Sequence, residues 1–345
     1  MDFVQYLKEK FPLVEGAIRT AAATPLTGGP VAADLSRYLY DPLARFTEGG
    51  GKRVRPVLCL LGAEAVGGSA QEALAPAVAI ELFQSAALVH DDIADESELR
   101  RGKPCLYRTE GVGVATNMGD LALVQVMEVV LEDQALPDDR KPAVLHELVR
   151  MERHTLEGQA LDLGWARDGR WDVSTADYLY MVESKTAWYT CACPLYVGAL
   201  AAGAAPEAAH ALIELGRHAG IAFQIQDDLL NLVGDAGAQG KDFRSDITEG
   251  KRTLAVVHAL EHLDNPSRAE LVGLLEAGTT NPGALARAVT LIERGGGIDR
   301  CRELAASEVT RAKHLAATLA EDGLITPEAR DLLLSMATFF VSRDH

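Results

Sequence analysis

Apolar residues recur at three- and four-residue spacing through 75–89, 121–131, 209–232 and 298–319, the period of a helix with one buried face, and runs of strand-type alternation are few. Turn-forming clusters separate these stretches at 24–30, 48–51, 138–139, 234–240 and 281–283, and each gap is short enough for closely packed helices. The pattern predicts an all-α chain. No tandem repeat, low-complexity tract or long linker interrupts it, so residues 1–345 are expected to form a single domain. What does recur is an aspartate-rich segment at the end of an apolar helix, once at Asp91 and again at Asp227.

Composition sharpens this picture. Hydrophobic residues make up 48% and aromatics only 6%, so the core must be built from Ala, Leu and Val, as helix-on-helix packing is. A net charge of −17 argues against a broad nucleic-acid surface, which needs clustered excess Lys and Arg. Of five cysteines only Cys191 and Cys193 lie near each other, in a spacing that fits no common zinc pattern, and reduced thiols in a cytoplasmic protein are expected. Residues 1–13 carry Asp2, Lys8, Glu9 and Lys10 and lack the apolar run of a secretory signal. The uncharged stretch 186–206 holds Pro194, Gly198 and Gly203 and reads as buried core, so no membrane span is expected.

Candidate chemistry gathers at the ends of the apolar stretches. In His90-Asp91-Asp92-Ile93-Ala94-Asp95, Asp91 and Asp95 are four apart, so on a helix both carboxylates project from one face. Such a pair suits magnesium, which is usually held by one or two carboxylates plus substrate phosphate oxygens. Acids at this spacing are also ordinary on a solvated face. Here the preceding 80–89 run is almost wholly apolar, which sets them at the mouth of a buried surface. Basic clusters stand on either side, Gly49-Gly50-Gly51-Lys52-Arg53-Val54-Arg55-Pro56 and Arg100-Arg101-Gly102-Lys103-Pro104. Lys52 with Arg55, and Arg100 with Arg101, offer charge-assisted donors to phosphate oxygens, while the glycines let the backbone come close. Either cluster alone could equally be a solvated basic loop.

The second segment, Phe223-Gln224-Ile225-Gln226-Asp227-Asp228-Leu229-Leu230-Asn231, repeats the order of acid then base: Gly234-Asp235, Gly240-Lys241, Asp246 and Gly250-Lys251-Arg252-Thr253 follow. Asp227, Asn231 and Asp235 share a face if the helix persists that far. Lys185-Thr186 places a cation inside an otherwise apolar helix, where an unpaired ammonium is costly, so Lys185 should have an anionic partner.

With these motifs in this order, the sequence closely resembles the trans-isoprenyl diphosphate synthases, the polyprenyl synthetase family, over roughly residues 45–305. The matching elements are GGKRVRP from Gly50, DDIADESELRRGKP from Asp91, EGQALDL from Glu157, Lys185-Thr186, FQIQDDLLNLVGD from Phe223, Gly240-Lys241 and GKRT from Gly250. The resemblance implies an antiparallel helical bundle of the isoprenoid synthase type around a deep central cavity, acting as a homodimer. It implies head-to-tail condensation of isopentenyl diphosphate with dimethylallyl, geranyl or farnesyl diphosphate. By the same resemblance, Asp91 and Asp95 bind Mg2+ from one helix and Asp227 from the facing helix. Arg100, Lys185, Thr186, Gln224, Lys241 and Lys251 would hold the allylic diphosphate, and Lys52, Arg55, Gln84 and Arg101 a metal-free isopentenyl diphosphate site. Asp91, Asp95, Lys185, Asp227 and Lys241 are the expected catalytic residues, and Arg343 is a loose match to a basic residue that closes over isopentenyl diphosphate. Asn231 stands where many members have Asp, and Arg244 where many have Gly.

The implied chemistry needs a stabilised leaving diphosphate and a carbocation kept from water, with no Ser, Cys or His nucleophile; His90 is expected to pack. Product length depends on what blocks the cavity below Asp91. One helical turn rises about 5.4 Å, near one isoprene unit. Ala86 and Ala87 are too small to stop a tail, and Phe83 is the first bulky floor. About twenty to twenty-five carbons are expected by that spacing, geranylgeranyl diphosphate being favoured over farnesyl or longer products. A class I terpene cyclase, which would not need the Lys52, Arg55 and Arg101 cluster, and a non-catalytic synthase subunit, which would lose its acidic motifs, are the alternatives.

Overall fold

The computed structural model describes residues 1–234 and 243–342, and it is all-α as the periodicity predicts. Helices of eight residues or more run in the order α1 (Phe3–Thr20), α2 (Asp41–Glu48), α3 (Val54–Ala65), α4 (Leu74–Ala94), α5 (Val112–Glu132), α6 (Lys141–Arg167) and α7 (Thr175–Val182). A π-helical segment, Glu183–Ala192, leads into α8 (Cys193–Ala201). Then follow α9 (Pro206–Val233), α10 (Leu254–His262), α11 (Asn265–Glu276), α12 (Pro282–Arg294), α13 (Gly297–Glu321) and α14 (Pro327–Val341). All four strongly periodic stretches lie inside helices, namely α4, α5, α9 and α13. Among the described residues the one strand pair is a hairpin in which Leu99 faces Pro104 and Arg100 faces Lys103.

The chain divides into two compact units, each with its own packing. The first comprises residues 1–152, 193–212 and 322–330, and the second 153–192, 213–234, 243–321 and 331–342. Three of the boundaries fall inside α6, α9 and α14, and the other two at the ends of the π segment and of α13.

In the first unit, α3 and α8 meet backbone to backbone. A Cβ on Gly62 would lie 2.1 Å from the Leu195 carbonyl oxygen, and one on Gly198 would lie 1.9 Å from that of Cys59. Only glycine permits this approach. Beside them α4 is buried along most of its length, and Ala86 packs with Leu43 of α2 and with Met118 and Ala122 of α5. The uncharged stretch 186–206 forms the last part of the π segment and α8, and it is almost wholly buried down to Ala201. Among the described residues one helix is long and apolar enough to cross a membrane by length and composition, and it is α5, with 39% of its most apolar window buried.

In the second unit the π segment is held close by glycines. Gly158 of α6 lies against Lys185, where an added Cβ would come within 2.4 Å of the Lys185 nitrogen. On α9, Gly216 lies against Ala192 and Gly220 against Ala187, with added Cβ atoms 2.5 and 2.6 Å from the respective Cα atoms. A wide helical turn wedged between two helices in this way fixes where its side chains emerge, and π-helical turns are frequent at functional sites for that reason. Around it a core runs from Tyr178 and Met181 through Ile221, Ile225 and Leu229 to Leu254, Leu291 and Ile298.

Gly220→Ala should therefore cost about 1–3 kcal/mol, as an overpacked core does. Gly164→Ala, on α6 with nothing within 4 Å, should be neutral or stabilising by about 1 kcal/mol. Urea unfolding of both variants measures the difference.

Candidate active site

The first acidic motif closes α4. Asp91 and Asp95 are joined by the hydrogen bond from Asp95 N to Asp91 O (2.8 Å), so they occupy successive turns of one face, Asp91 half-buried and Asp95 exposed. Their donors are oxygens only, the set a hard cation such as magnesium prefers. Asp92 between them is 1% exposed and turns the other way, accepting from Nε (2.9 Å) and Nη2 of Arg100. Arg100 reaches it from the hairpin, whose turn residues Arg101 and Gly102 have φ of 53° and 75°. Two successive left-handed residues are what a tight two-residue hairpin requires.

A second cluster forms around Glu81, a carboxylate 2% exposed in the middle of α4. Arg53 binds it through Nη1, and its other nitrogens reach Glu15 Oε1 (2.6 Å) and the Thr47 carbonyl (2.8 Å). Arg53 is itself 3% exposed and sits at φ 50° as the N-cap of α3. With the Gln84 amide oriented by its hydrogen-bond network, Gln84 donates to Glu81 Oε2 (3.3 Å) and accepts from Arg55 Nη1 (3.2 Å). Arg101 lies over Gly51, its Nη2 3.2 Å from where a Cβ would stand. Burial raises the Glu81 carboxyl, with Arg53, Arg55 and Arg101 opposing it, and burial together with Arg53, Arg100 and Arg55 lowers Arg101. Lys52 is exposed in the loop before Arg53.

The second unit holds an open pocket of about 460 Å³. Lys185 and Thr186 of the π segment line it, with Gln224 and Asp228 of α9, Asp162 of α6, Tyr178 of α7, and Asp246 and Lys251 from the connection to α10. The anionic partner expected for Lys185 is Asp162, one turn beyond Gly158. Lys251 pairs with Glu249 at 2.6 Å. Asp228 accepts from Gln224 Nε2 (2.7 Å) and from the Tyr178 hydroxyl (2.8 Å). Burial, with Asp246 nearby, pushes Asp228 far above the usual carboxylate range, and burial also raises Asp246, which Lys251 opposes.

The Gly-Lys-Arg-Thr motif divides its labour residue by residue. Gly250 turns at φ 62° and Lys251 enters the pocket. Arg252 anchors the turn by stacking over Trp171 at 3.8 Å and donating to the Arg170 and Gly250 carbonyls. Thr253 caps α10.

Of the predicted residues, Arg55, Gln84 and Arg101 thus surround Glu81, and Lys185, Thr186, Gln224 and Lys251 share one pocket. Asp227 is half-buried on α9, one residue from Asp228. Lys241, Asp235, Gly240 and Arg343 lie outside the described residues. Asn231 ties down the next segment, donating to Ser245 Oγ (3.0 Å) and accepting from Asp246 N (3.3 Å). Arg244 holds φ 63°, the left-handed conformation for which glycine is the usual choice. His90 packs against Gly119, as expected for a packing residue. Sequence reasoning missed Glu81, Arg53, Asp162, Tyr178 and Asp228. The available signals were a lone acid within an apolar run and a second Asp beside the first.

Two clusters in which arginines and lysines are held by carboxylates, on an all-α scaffold, suit the binding of diphosphates. The polyprenyl synthetase family model matches residues 36–292, and the chain belongs to that family. It is 37% identical over 298 residues to the short chain isoprenyl diphosphate synthase of Methanothermobacter thermautotrophicus, covering 86% of this chain and 87% of that one. The crystal structure of geranylgeranyl pyrophosphate synthetase from Pyrococcus horikoshii aligns with a TM-score of 0.86 at 34% identity over 99% and 98% of the two chains. A Corynebacterium glutamicum geranylgeranyl pyrophosphate synthase, complexed with isoprenyl diphosphate and magnesium, aligns at 0.85 with 27% identity over 99% and 100%. The protein is a trans-prenyltransferase of the isoprenoid synthase fold, which condenses prenyl diphosphates head to tail.

In metal-free protein burial pushes the Asp228 carboxyl up to about 8, so the contribution of this group to stability should fall as pH rises from about 4. Asp228→Asn should raise the thermal midpoint at pH 8 relative to the parent and leave it nearly unchanged at pH 4, by scanning calorimetry in chelator.

Proposed function

We propose that the chain makes geranylgeranyl diphosphate, taking isopentenyl diphosphate on Lys52, Arg55, Gln84 and Arg101 and the allylic diphosphate on Arg100, Lys185, Thr186, Gln224, Lys241 and Lys251. The observation that carries this reading is the pocket in which Lys185 and Lys251, each paired with a carboxylate, stand with Gln224 and Thr186. Those cations are preorganised positive charge for a departing diphosphate. Magnesium held by Asp91, Asp95 and Asp227 would supply the remaining neutralisation of the leaving group. The magnesium in the Corynebacterium glutamicum structure supports that assignment. The apolar flank of α4 excludes water from the cation, and the isopentenyl double bond then attacks it. The released diphosphate takes the final proton. Both units serve this one reaction as a single catalytic domain.

Length control is assigned to α4. Ala86, buried against Leu43, Met118 and Ala122, and half-buried Ala87 present only methyl groups beneath Asp91, and Phe83, 2% exposed, is the first bulky residue below them. Farnesyl or longer products are the alternative.

A homodimer is part of the proposal. Val149, Leu156 and Leu163 of α6 are 51%, 62% and 40% exposed at seven-residue spacing, a stripe suited to a second copy of itself. Cytoplasmic placement goes with it, all five cysteines being buried. So does a soluble chain, in which α5 packs as a protein helix and not as a membrane span.

Incubation with labelled isopentenyl diphosphate and each allylic primer, with and without magnesium, should give labelled prenyl alcohols after dephosphorylation only when metal is present. Twenty carbons should predominate by the turn-spacing argument, about one isoprene unit per turn, and Phe83→Ala should lengthen the product. An unchanged profile in that variant removes Phe83 as the floor. Leu156→Glu should shift the sedimentation mass to that of one chain, and a parent that already sediments as a monomer sinks the dimer.

A further inference from the structure

The last turn of α10 carries a cluster that the prenyl transfer does not use. His258, Glu261 and His262 each present a ligand atom within 4.8 Å of the others, and the two imidazoles stack at 4.0 Å between centroids. His262 Nδ1 lies 2.8 Å from the His258 carbonyl, to which it donates, so in the neutral ring Nε2 is the nitrogen that carries the lone pair. This is the arrangement that fixes the tautomer of a metal-ligating histidine. His258 is held from the other side by a run of three glycines. Added Cβ atoms on Gly295 and Gly297 would fall 2.7 Å from Ala259 Cα and 2.1 Å from the Ala255 carbonyl oxygen, and Gly296, at φ 76°, abuts the imidazole near Nε2. The C-terminal end of a helix adds a partial negative charge that favours a cation.

We propose that His258, Glu261 and His262 form a binding site for a divalent transition-metal ion of the zinc class, separate from the magnesium chemistry of the diphosphate pocket. Two imidazoles select such an ion over magnesium, which prefers oxygen donors. Tetrahedral coordination at about 2.0–2.1 Å needs donors about 3.3 Å apart, a closure that small side-chain adjustments of the exposed His262 and Glu261 supply with their contacts to His258 and Thr175 kept. Three protein donors leave a fourth position for water. Glu261 also accepts from Thr175 N (3.2 Å) and Oγ1 (3.1 Å) at the start of α7, the helix that presents Tyr178 to Asp228. An ion bound here braces the end of α10 against the first turn of α7.

Isothermal titration of the tag-free chain with zinc chloride, in a large excess of magnesium to occupy the carboxylate sites, tests this. One zinc-binding event is expected, weakened about tenfold or more in His258→Ala and in His262→Ala and less in Glu261→Gln, with far-UV circular dichroism of each metal-free variant matching the parent. Copper bound to the parent should show nitrogen hyperfine splitting from two imidazoles by electron paramagnetic resonance, a readout that needs no variant. Zinc affinity unchanged in both histidine variants, no zinc heat in the parent, or a copper spectrum without that splitting overturns the site.

Discussion

The second unit depends on the wedging of one π-helical segment between two helices. Gly158, Gly216 and Gly220 remove the side chains that would hold Glu183–Ala192 away, so backbone meets backbone on both sides. A wide turn has looser hydrogen bonding than an α-helical one, and tight packing is what keeps it in place. Its reward is positional, because Lys185 and Thr186 emerge from that segment toward α9 while Asp162 receives the lysine from α6. Packing of three glycines thus fixes the location of an ammonium group.

The same chain shows how a protein of net charge −17 keeps reactive cations in place without substrate. Arg53 rests on Glu81, Arg100 on Asp92, Lys185 on Asp162 and Lys251 on Glu249. Half-buried cations without anions would be costly, and these pairings remove that cost in the resting protein. On the proposed function, diphosphate binding is then an exchange of one anion for another, with the desolvation already incurred when the chain folded. Glu81 and Asp92 differ from the other two carboxylates in being almost wholly buried, at 2% and 1% exposed, so their role is to hold the arginines in place.

Helical periodicity made the four longest apolar stretches legible, because a buried face leaves its imprint every three to four residues. The motif order made the family legible. What the sequence hid were partnerships across distance. Glu81 reads as one blemish in an apolar run until Arg53 is seen to arrive from the α3 cap, and Asp162 is an ordinary acid until the π segment brings Lys185 to it. Asn231 showed in the sequence only as a departure from the usual Asp, and its amide is engaged with Ser245 and Asp246, a use that only the fold could reveal. Arg244 holds a left-handed conformation, the one glycine adopts most readily, so the sequence departure and the turn are compatible.

The small hairpin at 99–104 has a consequence for how this chain can vary. Consecutive residues of a hairpin point to opposite sides, and here Arg100 goes to Asp92 of the acidic motif while Arg101 lies on Gly51 of the other cluster. One added or lost residue in that turn would move Arg101 relative to Arg100, so the contacts with Asp92 and with Gly51 would not both be kept. Exposed loops ordinarily tolerate changes in length. This one is an exposed loop whose length is as constrained as a buried position.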